Sequence, residues 1–97
     1  MNYNFEWDNN KAKSNLQKHK ISFETASSIF RDEKAISIFD EEHSEEEERW
    51  LTIGIDEVTR VLVVIHTFVT INSDNCTIRI ISARKATKKE ILIYTQG

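Results

Sequence analysis

The chain has no proline, one cysteine and two glycines in 97 residues. Without proline, repeats or a low-complexity stretch there is no linker to divide it, so residues 1–97 read as a single domain. Cys76 has no partner for an intrachain disulfide, which fits a reducing compartment, and the cytoplasm is the expected location. Gly54 stands alone inside a strand-like stretch. There is no glycine-rich loop or Walker pattern to cradle a phosphate chain, and no Ser-His-Asp order. No run approaches the ~20 apolar residues of a membrane helix. The first eight residues have neither a basic region nor an apolar run, so no signal peptide is expected. His19, His43, His66 and Cys76 show neither HxxxH nor CxxC spacing, so no metal ligand set and no cofactor are expected.

What is present is enough to fold. Hydrophobic residues make up 39% and aromatic residues 9%. A chain of this size buries about 60–65% of its unfolded surface, a small but real core. The net charge of −3 conceals an asymmetry. Residues 1–57 hold 7 Lys/Arg and 14 Asp/Glu, whereas residues 58–97 hold 6 Lys/Arg and 2 Asp/Glu. Seven acids lie between Asp40 and Glu48. A basic C-terminal face therefore remains available to nucleic acid, and the acidic segment to a basic protein.

Tyr3, Phe5 and Trp7 alternate with Asn4 and Glu6, which predicts a short strand. Asp8 suits an N-cap for a helix over residues 11–19, with Ala12, Leu16 and His19 on one stripe. Ser22 suits a second, for a helix that places Phe23, Ala26, Ile29 and Phe30 on one face. Strands are predicted over residues 35–39, 50–55, 61–67 and 77–83, with a loop over 40–48 and a closing helix over 87–94. The third of these strands is apolar enough to be buried on both faces. Four strands in succession argue for an antiparallel sheet of four to five strands, with two N-terminal helices on one face and a short C-terminal helix. This is an α+β fold.

The stretch from Cys76 to Glu90 carries the strongest functional signal. It reads as an apolar strand bearing Arg79, followed by a helix opening with Arg84, Lys85, Lys88 and Lys89. Each cation in a first helical turn is unfavourable by roughly 0.3–1 kcal/mol. Four of them imply an anionic partner, and phosphate is the commonest. Alternation puts Arg79 with Thr77, Ile81 and Ala83 on the open face, and Ile78 and Ile80 toward the helices. An exposed arginine paired with a cross-strand acid, worth ~0.2–1 kcal/mol, would explain Arg79 without any function. His66 ends the most apolar strand and is either a hydrogen-bonded edge residue or a general acid or base. Glu48 and Arg49 adjoin the strand that starts at Trp50, and a strand end positions side chains better than a loop does.

These residues resemble a known family. Phe5, Glu6, Trp7 and Asp8, then Lys11, Asn15, Lys18, His19, Ser22, Phe23, Glu24 and Ala26 are similar to the BrnT toxins. So are Glu47 to Trp50, Ile53, Gly54, Val63, Val64, His66, Thr67, the run Ile78 to Ala86, Glu90 and Tyr94. The likeness spans nearly the whole chain and is most specific around Trp7, Lys18-His19 and Arg79 to Ala86. It implies a RelE-like ribonuclease fold and a type II toxin–antitoxin system. Members cleave RNA, block translation and are neutralised by BrnA. That antitoxin has a DNA-binding region, so operator DNA is reached only through it. A toxin homodimer or a larger toxin–antitoxin oligomer is left open. Two departures stand out. Lys20 occupies a position where many relatives have glycine. The segment 68–76 is long and lacks basic residues.

Metal-free RNA cleavage needs a base for the 2′-OH, cations for the phosphoryl oxygens and an acid for the leaving 5′-oxygen. Arg79 and Arg84 are the expected phosphate clamp, because guanidinium binds phosphate bidentately. Glu48 and Arg49 belong to the same catalytic group, with His66 or Glu48 as base or acid. Lys85, Lys88 and Lys89 would hold the flanking RNA backbone. Lys18 and His19 match the family's Lys-His pair and are expected to contact RNA. The alternative is a catalytically weak or inactive module that only engages its antitoxin.

Overall fold

The computed structural model describes residues 2–45 and 47–96. The elements are β1 (Asn2–Glu6), α1 (Asn9–His19), α2 (Phe23–Ser27) continued by a 3-10 turn (Ser28–Arg31), β2 (Ile36–Phe39), β3 (Trp50–Ile55), β4 (Val61–Thr70), β5 (Asn75–Lys85) and α3 (Lys88–Gln96). A second 3-10 turn, Glu41–His43, lies in the acidic segment. Both expected N-caps are made. The Asp8 carboxylate accepts from Asn10 N–H at 3.1 Å, and Ser22 Oγ accepts from Thr25 N–H at 3.1 Å.

The sheet order is β1-β5-β4-β3-β2. Strands β2 to β5 form the expected antiparallel meander, but β1 joins β5 in parallel, so the five-stranded sheet is mixed. The α1–α2 crossover carries the chain from one edge of the sheet to the other, and the meander then returns to β1.

The main core lies between the sheet and the N-terminal helices. Ile21, Phe23, Ala26 and Ile29 pack against Leu62, Val64, Ile78, Ile80 and Ala83. Trp7 meets Phe23 edge-on, with ring centroids 5.9 Å apart. On the opposite face Ile53, Val63 and Tyr94 form a smaller cluster, joined by Leu51 and Ile65. Strand β4 is therefore covered on both sides over its central part, as its composition predicts. At Gly54 the Ser28–Arg31 turn approaches closely. A Cβ there would sit 3.1 Å from Ile29 Cβ and 3.2 Å from Ala35 Cβ.

One helix stripe differs from the periodicity. Leu16 is 49% exposed, while Asn15 is 6% exposed and faces the sheet. Strand β1 ends opposite Arg79, which leaves the farther edge of β5 unpaired. Asn15 supplies the missing partner. Its Oδ1 accepts from Ala83 N–H at 3.0 Å, and its Nδ2 donates to Ala83 O at 2.9 Å and Ile21 O at 3.0 Å. A leucine there would leave buried backbone groups unsatisfied at about 1–3 kcal/mol each.

Helix α1 ends at Lys20 with φ 61° and ψ 30°, its N–H donating to Leu16 O. This left-handed cap geometry favours glycine. A lysine held there carries a steric penalty of roughly 1–2 kcal/mol. Lys20→Gly is expected to stabilise the fold by about 0.5–1 kcal/mol, after the loss of chain entropy is deducted. Urea unfolding would show a higher midpoint at constant slope.

Candidate active site on the open face of the sheet

Strict alternation would put Arg79 and Arg84, five residues apart, on opposite faces of β5. A β-bulge prevents this. Ile65 pairs with Ser82 and His66 with Ile80, so Ile81 is the extra residue. Beyond the bulge the parity inverts. Ala83 turns toward the helices with Ile78 and Ile80, correcting its expected place beside Arg79. Arg84 turns to the open face opposite Val63, while Arg79 stands there opposite Thr67. Arg84 and Lys85 lie on the strand itself, and only Lys88 and Lys89 enter the first turn of α3.

The arginines are not bare. Arg79 donates to the Glu47 carboxylate, and Arg49 approaches the other Glu47 oxygen at 3.8 Å. Glu47 thus sits between two guanidinium groups. Glu48 is exposed and makes no hydrogen bond among the described residues. Arg49 Nε is buried with no hydrogen-bond partner among the described residues. Arg84 holds Glu90 in a two-point pair, at 2.7 and 2.9 Å. The same carboxylate accepts from Thr87 N–H at 2.8 Å, and Glu90 N–H donates to Thr87 Oγ1 at 3.2 Å, closing a capping box. Part of the negative charge that the α3 terminus calls for therefore comes from Glu90. Lys85, Lys88 and Lys89 are exposed.

His66 is not part of this group. It lies on the helix face, fully buried, and Thr52 bonds its Nε2 at 2.6 Å. Nδ1 donates to Thr67 O at 3.3 Å, so Nε2 is the acceptor. Phe30 and Phe68 stand edge-on to the ring at 4.8 and 4.7 Å. Burial pushes its pKa down to about 4 despite the Thr67 bond. It is a neutral core residue on the far side of the sheet from Arg79, which corrects its expected acid–base role. The β4 register placed it beside β5, but one residue out of phase with the open face.

Two clefts meet at the bulge. One, of about 320 Å³, is lined by Lys11, Asn15, Lys18, His19, Ile81 and Ser82. The other, of about 220 Å³, is lined by Asp40, His43, Arg49, Ile65, Ile81 and Ser82. Ile81 and Ser82 belong to both. The Lys18-His19 pair and Arg49 thus flank one stretch of β5. His43 and Ser82 were not singled out in the sequence, because neither a loop histidine nor a strand serine shows a pattern of its own.

The family described as the ribonuclease toxin BrnT of type II toxin–antitoxin systems matches residues 7–90. The chain belongs to the BrnT family. The crystal structure of the Brucella abortus ribonuclease toxin BrnT superimposes with a TM-score of 0.63. It is 20% identical, and the match covers 91% of this chain and 100% of that one. No curated protein sequence matches. The structural likeness carries the fold, and the family match carries the BrnT ribonuclease-toxin assignment.

Hydrogen bonds from Arg84 lower the Glu90 pKa from 4.5 to about 2, against the opposing effect of burial. A carboxylate depressed in the folded state contributes stability above its unfolded pKa and loses it as the pH falls through the folded one. Between pH 4.5 and 2 wild-type stability should therefore drop. Glu90→Gln should flatten that part of the profile and lower stability near pH 7 by about 1 kcal/mol, since the pair is partly solvent-screened. Urea titrations at a series of pH values would measure both.

Proposed function

We propose that this BrnT family member is a metal-independent endoribonuclease, acting in the cytoplasm to block translation and held in check by a BrnA-like antitoxin. The single observation that carries the reading is the bulge at Ile81, which brings Arg79 and Arg84 into phase on one face, where Arg79 shares Glu47 with Arg49. Guanidinium groups bind phosphoryl oxygens bidentately and stay charged at any working pH. Positioned cations of this kind stabilise the charge that develops on phosphorus as the 2′-oxygen attacks, and the chemistry then needs no metal.

The remaining basic residues extend the site. Lys18 and His19 lie in the cleft across the bulge and would contact the RNA backbone on that side. Lys85, Lys88 and Lys89, exposed at the β5–α3 junction, would hold it on the other. Glu47 and Glu90 occupy the arginines in the free protein, and the substrate phosphate would displace or share them. BrnA-like antitoxin binding would give operator DNA its only link to this chain, in a homodimer or a larger toxin–antitoxin oligomer.

The same ion pairs favour a second reading. Arg79 and Arg84 each already have an internal carboxylate partner, as they would in a module that only docks an antitoxin. The two readings separate on RNA. Purified chain free of antitoxin, with a long RNA in excess EDTA, is expected to leave 2′,3′-cyclic phosphate ends. Arg84→Ala is expected to reduce the rate by about 10²–10³-fold, as for loss of one preorganised donor. Its circular dichroism and antitoxin binding should be retained. An intact folded protein that leaves RNA uncut would support the docking module.

A further inference from the structure

With His66 buried on the other face, the expected acid–base candidate left is Glu48, which has no hydrogen bond among the described residues to orient it, so the arginine site lacks an oriented proton carrier. The acidic segment provides one. His43 Nδ1 lies 2.9 Å from Asp40 Oδ2. A carboxylate at that nitrogen holds the proton on Nδ1 and leaves Nε2 free to accept another. This is the base-and-orienter arrangement that proton-transfer catalysis uses. The imidazole is 64% exposed, so substrate can reach it.

The pair is fixed relative to Arg49. Asp40 N–H donates to Arg49 O at 2.9 Å, and Arg49 N–H donates to Ser44 Oγ at 3.0 Å. Ser44 Oγ in turn donates to Asp40 O. These bonds close the base of the loop onto the start of β3, and residues 41–43 make a 3-10 turn within it. His43 and Arg49 line the same cleft, which reaches Ser82 at the bulge. On the other side of His43 the lining is Glu42, Glu45, Glu47 and Arg49. Among the described residues, the carboxylates of Asp40, Glu42, Glu45 and Glu47 and the guanidinium of Arg49 thus surround the imidazole. Arg49 Nε is buried and without a partner among the described residues.

We infer that the Asp40–His43 pair is the proton-transfer group of the ribonuclease site, with His43 as general base and Asp40 as its positioning residue. The inference rests on the ribonuclease reading above. His43 Nε2 takes the proton of the substrate 2′-OH as the 2′-oxygen bonds to phosphorus. The bond from phosphorus to the 5′-oxygen breaks with its electron pair on that oxygen, which takes a proton from solvent water. The products are a 2′,3′-cyclic phosphate and a 5′-hydroxyl, and the imidazolium returns its proton to solvent. Arg49 and Arg79 meet the phosphoryl oxygens.

The test is a pH–rate series on one RNA with the wild type, His43→Gln and Asp40→Asn. Binding is measured separately on a 2′-O-methyl copy that offers no proton. Gln at position 43 can keep an amide hydrogen bond to Asp40 but neither takes up nor releases a proton. The expected result is a loss in kcat of about 10²–10⁴-fold for His43→Gln, with binding to the methylated RNA unchanged. Its rate should lose the acidic limb of the wild-type profile. Asp40→Asn should lose about 10-fold and shift that limb. In His43→Ala, added imidazole should restore part of the rate. A His43→Gln enzyme with the wild-type rate and profile overturns the assignment while leaving the ribonuclease reading intact. A folded wild type that does not cut RNA removes both together.

Discussion

The carboxamide of Asn15 bonds both backbone groups of Ala83 where β1 has run out. Those bonds let β5 continue for six residues past its last pairing with β1, with its free edge covered. A buried strand edge without such a partner would be costly, because each unpaired peptide group loses its water and gains nothing. The bulge lies within this extension, and the bulge sets which side Arg84 faces. One polar residue in the middle of α1 thus stands beneath the geometry of the charged face. It also explains why the helix exposes Leu16 and buries an amide, contrary to what hydropathy alone favours.

Much of the scaffold is legible in the order of residues because its causes are local. Asp8 and Ser22 announce two helix starts through side chains that bond within three residues of themselves. The apolar run from Val61 declares a strand covered on both sides. The causes of the rest are distant. The parallel union of β1 with β5 joins residues some 73 apart, and no local pattern encodes it. The bulge at Ile81 breaks the period of two that the alternation argument uses. Ala83 and Arg84 are therefore one step out of phase with it, whereas His66 follows the unbroken alternation of β4 onto the helix side.

The charged residues teach a related lesson. The cations between Arg79 and Lys89 did mark the basic face, but their partners were harder to foresee. Glu48 and Glu47 are equivalent in composition, and only the path into β3 decides that Glu47 meets Arg79. Glu90 reads as an ordinary helix residue until the capping box with Thr87 is seen to present it to Arg84. The Asp40–His43 contact spans three residues, yet an acidic loop gives no cue that it forms a turn. Within an acidic run that looks like solvated surface, Asp40 closes onto the start of β3 and Glu47 onto the arginines.

Helix α3 leaves Ile91, Leu92 and Ile93 substantially exposed and buries Tyr94, whose hydroxyl donates to Asp32 at 2.6 Å. Its other tie is Glu90 to Arg84. Asp32 also accepts from Ile55 N–H, so it joins the helix to the sheet through one carboxylate. An element with so little buried area opens at a free energy below that of the whole fold. When it opens, Glu90 leaves with it and Arg84 stands alone on the sheet. Fraying of the last helix and the charge presented by the middle of the molecule are therefore one equilibrium.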